Sequence, residues 1–134
     1  MWLKTLFYSG LLFCIFFTGA KSQTNPSAQD SAIVGVWKGS SICQVKNSPC
    51  HDETVVYHIT KVQGVDMFDV DAYKIIDGKE DEMGILHFHL DKTKNQLIAN
   101  MNGTWTLNLK GRNIDGILTV NGTLYRIIKL TKQT

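Results

Sequence analysis

Few residues in this chain could do chemistry, and the histidines are the first to weigh. Of the four, His87 and His89 flank Phe88. On a strand that spacing puts both imidazoles on one face, an arrangement a zinc site can use. Leu86, Phe88 and Leu90 take the opposite face, so His87 and His89 are predicted to lie in solvent beside Asp91. A third ligand from His58 would require the second and fourth strands to meet across the exterior, with the third between them. No metal and no cofactor are expected. The run Lys79-Glu80-Asp81-Glu82 lacks the alternating oxygen ligands of an EF-hand loop and reads as a solvated hairpin loop after Asp77-Gly78. Asp69 and Asp71 share a strand face, but no acid falls in the apolar niche that glycosidase-like chemistry needs. Ser40 and Ser41 lack a Gly-x-Ser-x-Gly frame and a traceable triad, and no glycine-rich phosphate loop is present. No enzyme is expected.

The cysteines turn on the compartment. Residues 1–22 read as a secretory signal: Lys4, an apolar core from Leu6 to Phe17, then small residues through Thr18-Gly19-Ala20-Lys21-Ser22. Ala20-x-Ser22 places the cut before Gln23, with cleavage after Ala20 nearly as good. The apolar core is shorter than the roughly 20 residues a membrane span needs, so no stable anchor is expected after cleavage. Cys14 goes with this segment and has no small residue at the two positions before it, Leu12 and Phe13, which argues against acylation. Cys43 and Cys50 then remain, an even number in an oxidising secreted or periplasmic setting. Their spacing is neither Cys-x-x-Cys nor half of a zinc site, and Asn47-Ser48-Pro49 supplies a turn. A structural disulfide is expected, worth about 2.5 kcal/mol in the chain-entropy model. Lys4 and Lys21 leave with the signal, so 12 of the 14 basic residues face 12 acidic ones. A neutral chain gives no charge argument for nucleic acid or an anionic membrane.

The elements that must position these residues are short and alternate in polarity. Gln23–Ser31 is polar and without periodicity, so residues 23–32 read as a flexible leader before a single domain at 33–134. Strands are predicted at Ile33–Ile42, Thr54–Lys61, Met67–Ile76, Gly84–Asp91, Gln96–Met101, Thr104–Lys110, Asn113–Val120 and Thr123–Thr131. Asn102-Gly103 and Asn121-Gly122 are the strongest hairpin signals, because a type I′ turn needs positive φ at both central positions. Each is also an Asn-Gly-Thr glycosylation pattern, which the turn explains without any sugar. Trp105, Leu107 and Leu109 share an inward face, as do Phe68, Val70, Ala72 and Ile76 with Lys74 interrupting, and Ile114, Gly116, Leu118 and Val120. The reading is all-β: one eight-stranded antiparallel up-and-down barrel, which leaves no exposed sheet edge.

Gly35-Val36-Trp37 resembles the Gly-x-Trp signature of lipocalins and related calycin barrels, and in strand count and order the chain resembles small bacterial lipocalin-like secreted proteins. The resemblance implies that Trp37 closes one barrel end with Arg126, in Leu124-Tyr125-Arg126-Ile127, packed across its ring. It gives Gly35, Trp37 and Arg126 structural roles. It also implies a monomeric, non-catalytic binding protein for a small, largely apolar ligand, with Trp37, Tyr57, Phe68, Phe88 and Trp105 as candidate lining residues. The competing view is that these aromatics are simply the core. The alternative function is a protein-interaction module such as a secreted protease inhibitor, to which the Cys43–Cys50 bridge and an N-terminal leader are similar in outline. Mass mapping of exported, non-reduced protein should find Cys43 and Cys50 linked; two free thiols would contradict this.

Overall fold

The computed structural model describes residue 19 and residues 25–134. Apart from residue 19, the expected signal segment 1–22 and its cleavage site lie outside the described residues. Helix α1 (Ala28–Ile33) precedes eight strands: β1 (Gly35–Cys43), β2 (Glu53–Lys61), β3 (Met67–Ile76), β4 (Lys79–Asp91), β5 (Gln96–Asn100), β6 (Thr104–Lys110), β7 (Asn113–Val120) and β8 (Thr123–Lys132). Each strand pairs antiparallel with the next and β8 returns to β1, so the sheet closes into an up-and-down barrel. No helix among the described residues is long and apolar enough to cross a membrane. Cys43 and Cys50 are bridged, with Cα atoms 5.9 Å apart.

Turn chemistry sets most of the registers. Ile76 pairs with Lys79 and Val120 with Thr123, so Asp77-Gly78 and Asn121-Gly122 are two-residue connections. Their central φ values, 50° and 78°, then 50° and 77°, are those a type I′ turn requires. The acidic run after Asp77-Gly78 is therefore strand, not loop: the turn needs two residues, and Lys79–Glu82 continue straight into β4. Asn102-Gly103 departs from the expected two-residue turn. Asn100 pairs with Thr104, leaving three connecting residues, and Gly103 adopts φ 130°. A Cβ there would stand 2.5 Å from the Thr119 carbonyl oxygen, so close approach of β7 selects glycine.

Alternation fills the interior. Phe68, Val70 and Ala72 of β3, Leu107 of β6 and Ile114 of β7 are buried, while Trp105 and Leu109 pack against this core half-buried. Ile76 does not join its row; it is 47% exposed beside the β3–β4 turn, beyond the barrel end. Gly39 lets β1 and β8 approach, since a Cβ at that position would overlap the Lys129 carbonyl.

One end of the barrel is sealed. Residues 28–33, expected within a flexible leader and the first strand, instead form α1. Ser27 Oγ accepts from the Asp30 amide at 3.1 Å and Asp30 Oδ2 from the Ser27 amide at 3.3 Å, a capping box that starts the helix. So short a helix shows no apolar period; its buried residue is Ile33, 1% exposed. Trp37 Nε1 donates to the Ile33 carbonyl at 2.8 Å, and Lys132 Nζ to those of Ser31 and Ala32 at 3.0 and 2.9 Å. The helix's last carbonyls are thus satisfied by the barrel.

Trp37 closes this end, but its cation is Lys132, whose Nζ lies 5.7 Å from the ring centroid. The expected Arg126 lid is wrong by register. Trp37 pairs with Lys132 and Cys43 with Arg126, so the antiparallel first and last strands put Arg126 at the opposite end. Trp37→Phe keeps an aromatic side chain but removes the indole N–H and strands the buried Ile33 carbonyl. We expect a loss of about 1–3 kcal/mol, read from chemical denaturation midpoints.

Candidate functional site

The end away from α1 holds a cavity of about 570 Å³. Its shape follows from the sheet. Of β4, only His89, Leu90 and Asp91 pair with β5, so Lys79–Phe88, Met83 excepted, are laddered to β3 alone and β4 parts from β5 toward this end. Two bulges lie at this end. Ala72 pairs with Gly84 and Tyr73 with Glu82, leaving Met83 unpaired; Leu118 pairs with Arg126 and Thr119 with Leu124, leaving Tyr125 unpaired. Bulges re-aim side chains at barrel rims, and Met83 and Tyr125 both line the cavity.

The cavity has two unlike walls. Met83, Leu86, Met101 and Trp105 supply an apolar one from β4 to β6, with Trp105 Nε1 satisfied by the Met101 carbonyl at 3.0 Å. Ser41, Glu53, Tyr57 and Arg126 supply a polar one from β1, β2 and β8. Arg126 Nη1 donates to Ser41 Oγ at 3.2 Å, to the Ser41 carbonyl at 3.3 Å and to the His51 carbonyl at 3.0 Å, and lies 3.6 Å from Glu53 Oε2. The guanidinium thereby ties the disulfide-closed β1–β2 loop to the rim. The Arg126 side chain is 13% exposed and that of Glu53 24%. Burial pushes the Tyr57 hydroxyl's pKa well above its ordinary value, with Arg126 opposing and Glu53 adding to the rise, so the phenol stays neutral.

The five candidate aromatics divide. Tyr57 and Trp105 line the cavity; Trp37, Phe68 and Phe88, each 0% exposed, do not and belong to the packed core. Sequence reasoning missed Ser41 and Glu53 and misplaced Arg126. A parity signal was available: Glu53 precedes the inward row Val55, Tyr57, Ile59, and Arg126 precedes Ile128 and Leu130. A charged residue heading an inward row marks where the interior meets water. A second hollow, about 730 Å³, lies between α1 and the β2–β3 loop and has no aromatic lining.

The outer face carries the remaining titratable groups. His87 and His89 are exposed, as their strand parity predicts, while Phe88 is buried. His87 Nδ1 pairs with Asp69 Oδ1 at 2.6 Å, and His58 reaches over β3 to Glu80 at 3.2 Å without meeting the other imidazoles. The Tyr73 hydroxyl donates to Asp71 Oδ2 at 2.7 Å, and its pKa is pushed up to about 12, chiefly by that bond. No group of three metal-ligating side chains gathers among the described residues.

Set beside known proteins, the chain matches no family model, no curated protein and no solved structure. What fold and site define is therefore a class: an antiparallel eight-stranded barrel sealed at one end and hollow at the other. Replacing His87 and His89 together with glutamine should move Tm by no more than about 3 °C, as surface substitutions do. Loss of a stoichiometric zinc in that variant would contradict the placement.

Proposed function

We propose that this is an exported, lipocalin-like, non-catalytic binding protein that takes a small, largely apolar molecule into the open end of its barrel. The observation carrying this reading is the cavity of about 570 Å³, with its apolar wall from Met83 to Trp105 and a few polar groups facing it. Small-molecule sites are of this kind, roughly 300–1,000 Å³ and mostly apolar with a small number of orienting polar side chains. Export is supported by the Cys43–Cys50 bridge, which persists in oxidising compartments. The alternative, a protein-interaction module, draws support from the rim, where Ile42, Ile76, Met83, Met101 and Leu124 are each at least 37% exposed. A filled barrel with a protruding N-terminus would favour that alternative, which fits less well with the open cavity and with residues 28–33 docked as α1.

The neutral dye N-phenyl-1-naphthylamine should bind near one equivalent with a rise in fluorescence. Leu86→Trp, which fills the cavity from its apolar wall, should weaken that binding by about tenfold or more, since an occupied pocket cannot be desolvated by ligand. Equal dye binding in a folded Leu86→Trp protein would remove the reading.

A further inference from the structure

The polar wall has more hydrogen-bonding capacity than the protein uses. A guanidinium carries five N–H donors. Besides a stacking contact with the Tyr125 ring, 6.0 Å to its centroid, every hydrogen bond and ion pair of Arg126 to the described residues runs through Nη1, so Nε and Nη2 have no acceptor there. The Glu53 carboxylate touches Arg126 at 3.6 Å, beyond hydrogen-bond reach, and accepts no hydrogen bond from the described residues. The Tyr57 hydroxyl beside them also has no partner among those residues. Donors and acceptors are thus left over side by side, facing one cavity.

Charge selects among the heads that could satisfy them. Arg126 and Glu53 are both largely withdrawn from water and nearly cancel. A carboxylate bonded to Arg126 would lie against Glu53, and an ammonium bonded to Glu53 would lie against Arg126. Either would also have to be desolvated as an ion. A head with no net charge that both accepts and donates meets neither obstacle.

On the binding reading above, we infer that the mouth is a subsite for an amphiphile with an uncharged carboxamide-type head. The head's carbonyl oxygen accepts from Arg126 and its N–H donates to Glu53. The apolar tail lies on the Leu86 and Trp105 wall, toward the parting of β4 and β5.

The test is displacement of N-phenyl-1-naphthylamine by three probes of one chain length: decanamide, decanoate and decylammonium. In the wild-type protein decanamide should bind about tenfold more tightly than either ion, the scale of one charge-assisted hydrogen bond. Glu53→Gln uncovers the charge of Arg126 and should move the preference to decanoate. Arg126→Gln should move it to decylammonium; because Arg126 also holds the β1–β2 loop, Glu53→Gln is the deciding variant. Equal affinities for the three probes, decanoate as the tightest wild-type ligand, or an unchanged order in Glu53→Gln would each overturn the inference while leaving an apolar binding site standing. Failure of the dye itself to bind would instead bring down the binding reading, and this subsite with it.

Discussion

The hydrogen bond from the Trp37 indole to the Ile33 carbonyl is the contact on which the two ends of this barrel diverge. An isolated six-residue helix is far too short to persist in water, because nucleation consumes more order than one turn returns. It persists here because its terminal carbonyls find donors on β1 and β8 and because Ile33 is buried against the core. Lys132 serves this end twice, bonding the helix carbonyls and standing over the indole face. A positive charge also suits a helix C-terminus. With that end closed, the interior opens to solvent at the other.

The inward row of β8 is where this asymmetry is written. Arg126, Ile128, Leu130 and Lys132 alternate inward along the strand, apolar in the middle and cationic at each end. The two cations have different partners, so they do different work. Lys132 meets an aromatic ring and backbone carbonyls and helps form a plug. Arg126 meets a carboxylate, a serine and the carbonyl of a disulfide-closed loop, and holds a rim in place while keeping donors to spare. The bulges at Met83 and Tyr125 lie at the same rim, and both residues line the cavity. An interior that would otherwise be filled by its own side chains is thereby left hollow near its mouth.

Much of the architecture was legible because its causes are local. Period-two alternation marks strands wherever one face is wet, and two-residue turns with positive φ admit few residues besides asparagine, aspartate and glycine. Hence the eight strands, the buried Phe68 and Phe88 and the exposed His87 and His89 follow from residue types and spacing. Local signals also set the limits. The acidic run at Lys79–Glu82 reads as loop because charged residues resemble solvated turns, yet a hairpin that turns in two residues leaves them nowhere to be but strand. Helix α1 carries too few residues to show a period, and its stability comes from tertiary partners, Trp37 four positions on and Lys132 about a hundred positions away.

What the sequence determined alone is thus the set of strands, their faces, and the pairing of Cys43 with Cys50, since each depends on neighbours along the chain or on simple arithmetic. The tertiary structure decided which end each residue occupies and which strands part. Antiparallel closure brings the start of β1 beside the end of β8, so the cation over Trp37 is Lys132, and Arg126 falls with Glu53, Ser41 and Tyr57 at the cavity. Strand polarity could have given the first of these. The second needs the shear of the closed sheet and the short β4–β5 ladder, which arise from packing across the whole barrel and leave no mark on any single stretch of chain.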